Sequence, residues 1–136
     1  MRHLEHYSQI LGAALLLLSL ASAAHAEDHF SVQQYNHFHD LLHPLEHDAL
    51  PAKDFQRIRS EASELIKRGE AIVRLGVPRG TSERYVEDFR KELKKFKSAL
   101  GKLKKHVKRG TDAQLEASFS DVHDSFEMLA GMLPRK

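Results

Sequence analysis

The chain has 136 residues, no cysteine, no tryptophan and a formal net charge of +2. Without thiols it can form neither a disulfide framework nor a thiolate metal site, and it has no cysteine nucleophile. Near-neutrality argues against a dedicated nucleic-acid binder. No Gly-rich phosphate loop or serine-nucleophile context occurs, so no enzymatic reading arises.

Residues 1–26 read as a secretion signal. A weakly basic start (Met1-Arg2-His3) leads into an almost unbroken apolar run from Ile10 to Ala24. Ala24-His25-Ala26 then supplies a small-x-small cleavage pattern. The run is too short, and too rich in Ala and Ser at its end, for a membrane span. Cleavage is expected after Ala26, leaving one small domain, Glu27–Lys136, in the periplasm with no stable membrane insertion. Seven of the ten histidines lie beyond that point, five of them between His29 and His47.

The first predicted helix covers about residues 31–50. Ser31 and Gln34 have capping-box spacing, and Phe30 with Tyr35 suits a hydrophobic staple. Tyr35, Phe38, Leu42, Leu45 and Ala49 form its apolar stripe. Pro44 removes a backbone donor and crowds the Asp40 carbonyl, so a kink is expected there. The second helix, about 52–75, buries Phe55, Ile58, Ala62, Leu65, Gly69 and Ile72 and stops at Gly76. The third, about 82–109, starts at a Thr81-Ser82 cap and buries Val86, Phe89, Leu93, Phe96, Leu100, Leu103 and Val107. Its stretch from Lys94 to Arg109 holds eight basic residues and no acidic one, read as a solvated face with lysine stems over apolar surface. The fourth, about 112–133, opens on a Thr111/Gln114 capping box and buries Leu115, Phe119, Val122, Phe126, Leu129 and Leu133. Four single-striped helices with short connections predict an all-α, up-down-up-down four-helix bundle.

Tyr35–Leu45 aligns without gaps on Phe119–Leu129. Shared helical phase explains the apolar matches but not the common His-Asp step, His39-Asp40 and His123-Asp124. Four residues after each histidine comes a second candidate ligand, His43 or Glu127. Residues four apart share a helix face, and both pairs lie on the same flank of their stripes at similar depth. If the flanks face each other, His39, His43, His123 and Glu127 form a cluster suited to copper, zinc, nickel or cobalt. Asp40 and Asp124 point elsewhere and rank below the four as ligands. His37 and His47 lie on other faces and could widen the cluster only through the Pro44 kink, and His106 reads as an ordinary surface residue. Hemerythrin-type di-iron sites draw ligands from four helices, and the second helix here has no histidine.

The signal, the mature length, the four helices and the ligand candidates on the first and last of them resemble the periplasmic cytochrome b562 and cytochrome c′ group. The likeness is architectural and spans the mature chain. It implies haem held between the first and last helices. The CxxCH attachment of the c′ type is missing, since Val122-His123-Asp124 stands where that motif would fall. The b562 type uses a Met on the first helix, where this chain would have to use His39 or His43 opposite His123. The expected function is therefore haem-free metal buffering, delivery or sensing. Non-covalent haem with electron transfer is one alternative. The other is a metal-independent envelope interaction protein or chaperone. The expected partners are a metal ion and either a second copy of the chain or a periplasmic protein.

Overall fold

Amphipathic stripes of this length make helices that persist only when packed together. The computed structural model describes residues 29–136. It consists of α1 (Gln33–Pro44), a π-helical segment (Leu45–Ala49), α2 (Phe55–Leu75), α3 (Glu83–Arg109) and α4 (Asp112–Gly131), with no strand among the described residues. The expected secretion signal, residues 1–26, lies outside them.

Helix starts differ from expectation where a neighbour competes for the capping group. Ser31 does not cap α1: Val32 stands at the N-cap position, and the Ser31 hydroxyl donates to the Pro134 carbonyl. The staple is present, with the Phe30 and Tyr35 rings edge-on at 6.4 Å. Asn36 fixes the entry, accepting from the Phe30 N–H at 2.8 Å and donating to the Phe30 carbonyl at 2.9 Å. α2 begins at Phe55 rather than near Pro51, because Lys53 at φ 55° turns the chain and Asp54 then accepts from the Arg57 N–H at 3.0 Å. Ser82 holds the N-cap position of α3 without a side-chain bond, while Thr81 Oγ1 donates to the Pro78 carbonyl at 2.7 Å. Both arms of the Thr111/Gln114 box are formed, at 3.1 and 3.0 Å.

Pro44 sits at the end of α1, and the winding changes directly after it. Leu50 N–H reaches the Leu45 carbonyl at 2.9 Å, an i→i+5 bond of the wider π turn. The apolar phase continues through the change, since Leu45 and Ala49 are both buried.

The core is built from the expected stripes. Tyr35, Phe38, Leu42, Ile58, Leu65, Ile72, Phe89, Phe96, Leu103, Phe119, Val122 and Phe126 are all buried. Some stripe positions depart: Phe55, Val86, Leu93, Val107 and Leu133 are only half-buried, whereas Glu92 is buried and accepts from Ser125 Oγ at 2.9 Å. Gly69 lets α2 approach closely: a Cβ there would lie 2.7 Å from Leu100 and 3.2 Å from Phe38.

Arg59 ties α2 to the α3–α4 turn. Its guanidinium donates to the carbonyls of His106, Val107 and Gly110, each at 2.9 Å, and to Asp112 Oδ1 at 3.1 Å. Between α1 and α4 the packing is aromatic. Phe126 stacks on Tyr35 with centroids 5.7 Å apart, lies 4.9 Å from Phe38 and meets Phe30 edge-on at 5.8 Å.

Candidate metal-binding edge

The i, i+4, i+8 spacing of His39, His43 and His47 puts three imidazoles along one edge of α1 and the π-helical segment. His39 and His43 have ring centroids 5.3 Å apart, and His43 and His47 4.3 Å apart. His47, which a continuous helix would place on another face, thus joins the edge where the winding changes after Pro44, the one route by which it could widen the cluster. A continuous α-helix would carry each successive ring about 40° further round, and the wider π turn after Pro44 offsets that drift. His29, which precedes α1, adds a fourth ring 5.4 Å from His39. Asn36 positions it by holding the adjacent Phe30 backbone. A recess of about 180 Å³ along this edge is lined by His29, His39, Asp40, His43 and Pro44. Asp40 thus belongs to the same edge rather than pointing away.

His39 is half-buried against the core, its ring parallel to Phe126 at 6.3 Å and edge-on to Phe30 at 5.4 Å. Burial, then His43, then His29 hold its pKa below the ordinary histidine value; the Glu127 and Asp40 carboxylates oppose this and are outweighed. The shift favours the neutral imidazole, the form in which it can bind a metal. Glu127 belongs to α4, so its influence places that carboxylate within electrostatic reach of the α1 edge.

On α4, His123 Nδ1 lies 3.2 Å from Asp124 Oδ1 and His123 Nε2 lies 3.8 Å from Glu127 Oε1. The structure thus pairs His39 with His43 and His123 with Glu127, as two separate pairs. Among the described residues no ring contact joins His123 to His39 or His43, and no three His, Asp or Glu side chains converge as a metal-holding group. The donor chemistry nonetheless suits a borderline divalent ion. His43 and Glu127 are exposed.

The remaining features fall elsewhere. His37 is exposed and lies 2.9 Å, ring nitrogen to amide nitrogen, from Gln33. His106 is not an ordinary surface residue: it is half-buried, and its Nδ1 is enclosed without a hydrogen-bond partner. All eight basic residues from Lys94 to Arg109 are exposed, as a solvated face requires. An open groove of about 580 Å³ between α3 and α4 mixes Lys95 and Lys102 with Asp121 and Asp124, a rim of both signs with no common ligand preference.

The sequence reading gave His29 no role and admitted His47 only through a kink at Pro44. The regular spacing of His47 from His43 was the available signal; His29 lies outside any helix, and no periodicity places it. Comparison with protein-family models, curated proteins and solved structures finds no match for this chain.

Proposed function

We propose that this chain is a periplasmic metal-binding protein, not an enzyme, that buffers, delivers or senses copper, zinc or nickel. The scaffold is an up-down-up-down bundle whose first helix bends near Pro44. Arg59, early in α2, bonding to the end of α3 supports the alternation of direction. The observation that carries the function is the unbroken run of ring contacts His29–His39–His43–His47, with the Glu127 charge acting on His39. His39, His43 and Glu127 supply the inner donors, and His123 orients Glu127 or joins as a further ligand. Imidazole and carboxylate suit these ions better than hard calcium or magnesium.

A haem-free reading is preferred over the b562-like alternative on one ground. Tyr35, Phe38 and Phe126 fill the space between α1 and α4, so a haem there would have to displace them. A Soret band on the purified protein would reverse that preference.

The test is titration of the mature protein with Cu²⁺, Zn²⁺ and Ni²⁺, followed by calorimetry and thermal unfolding. Binding to the native state alone raises stability by about 2.7 kcal/mol at a free metal concentration of about 100 Kd. Replacing His39 and His43 together by Ala is expected to remove that shift, and replacing His123 to weaken it. An unchanged shift in the His39/His43 double variant would end this reading.

A further inference from the structure

We infer that the trough between α2 and α3 is a docking site for an acidic amphipathic helix of a partner protein. Two recesses of about 450 and about 260 Å³ lie end to end along it, sharing Glu70 and Lys104. Residues spaced by three, four and seven line both walls: Lys67, Glu70 and Arg74 on α2, and Lys97, Lys104 and Lys108 on α3. From Lys97 to Lys108 the wall runs about 16 Å, or about three turns of a docked helix. The floor is apolar, with Ile66 and Leu100 buried and Val73 and Val107 half-buried. At Gly101 it is bare, since a Cβ there would meet nothing within 4 Å.

The walls decide the occupant. Lys67, Arg74, Lys97, Lys104 and Lys108 are exposed and make no ion pair among the described residues. The other cations of α2 are all partnered: Arg57 by Glu61, Arg59 by Asp112 and Arg68 by Glu64. Unpaired cations along both walls call for carboxylates spread along a ligand, not for the single headgroup of a fatty acid. A polyanion would leave the apolar floor unused, whereas the apolar stripe of a helix covers it. A flat anionic membrane would touch the exposed ammonium groups and miss the floor, which is buried below them. Glu70 is the only carboxylate on the lining, and it opposes an acidic ligand. The trough shares no residue with the histidine edge, so it stands or falls apart from the metal reading.

The test is fluorescence anisotropy of a labelled synthetic peptide of about 18 residues, long enough to hold a helix, with leucines at helical spacing and glutamates on both flanks. Saturable one-to-one binding to the purified protein is expected. Lys67→Gln/Lys104→Gln should weaken it about five- to tenfold. The charge-matched Lys91→Gln/Lys105→Gln, at exposed positions outside the trough, should leave it nearly unchanged. Glu70→Gln should tighten it. Gly101→Leu fills the bare floor without altering charge and should abolish binding; an unfolding midpoint at or above wild type, as helix propensity predicts, separates that loss from misfolding. Undiminished binding by a folded Gly101→Leu would overturn the proposal, and so would equal affinity for polyglutamate of the same length, since either result means diffuse charge attraction. Preference for phosphatidylglycerol vesicles over the peptide, lost in the Lys67/Lys104 variant, would also overturn it by assigning the face to a membrane.

Discussion

Protonating His39 would place a cation between two further imidazoles and against the apolar rings of Phe30 and Phe126. Its folded pKa accordingly lies below the unfolded value of about 6.5. The sign of the linkage follows. Above that unfolded value the neutral ring costs nothing; as pH falls below it, toward and through the folded value, the unfolded chain binds the proton more readily and stability is lost. Urea midpoints should therefore fall between about pH 7.5 and about pH 5, and His39→Asn should flatten the decline. Glu127→Gln removes a carboxylate that favours the charged ring, so the decline should become steeper. A Glu127→Gln profile matching wild type would show that the α4 carboxylate does not act on His39.

Arg59 is a residue of a different kind, because one planar guanidinium satisfies three carbonyls at the end of α3 and the following turn. The end of a helix leaves such acceptors unpaired and carries negative partial charge, and a cation answers both. With the guanidinium partly buried, Arg59→Ala should destabilise by about 2–3 kcal/mol, the scale of hydrogen bonds to a charged group. Arg59→Lys should recover only part of that, since an ammonium cannot span the fork. Equal midpoints for Arg59→Ala and wild type in denaturant would refute this.

At the scale of elements, two helical glycines separate packing from propensity. Gly69 is covered by Leu100 and Phe38, both in the core, whereas a Cβ at Gly101 meets nothing within 4 Å. Gly69→Val should therefore cost about 1–3 kcal/mol through overpacking, while Gly101→Ala should gain about 0.5–1 kcal/mol from helix propensity alone. Chemical denaturation of the two variants decides the matter, and a stabilised Gly69→Val would refute the close approach. The same contrast explains what the sequence could convey. Apolar spacing located every helix and most of the core, because burial needs a phase and the phase is written in the residues. Ser31 and Asp54 show where that stops: which hydroxyl or carboxylate caps a helix depends on what else it can reach, and Ser31 reaches Pro134 at the far end of the chain. The histidine edge was half legible. Spacing of four gave His39 with His43, and His123 with Glu127, but the π turn that brings His47 over His43 depends on how the chain winds after Pro44.

For the whole molecule, the question is what joins the histidine edge to the bundle, and the packing singles out Phe126. Its ring touches Phe30, Tyr35, Phe38 and His39, so one α4 side chain is the common neighbour of the α1 entry, the α1 core stripe and the candidate ligand. Truncation to alanine removes a fully buried ring and should cost about 3–5 kcal/mol. The loss should not be spread evenly. α2, α3 and α4 keep their contacts through Gly69, Arg59 and the Glu92–Ser125 bond, whereas α1 loses its aromatic contacts with α4 and keeps only the ring contact of Phe38 with Phe96. Native-state hydrogen exchange should show α1 amides opening at lower free energy than those of α3, with the gap wider in Phe126→Ala than in wild type. Metal bound at His39 and Glu127 would bridge α1 to α4 across the same interface, so saturating Zn²⁺ should restore part of the α1 protection. If Phe126→Ala lowered protection equally in all four helices, or if Zn²⁺ left α1 exchange unchanged, the edge and the core would be independent, and metal could not report on the fold through this interface.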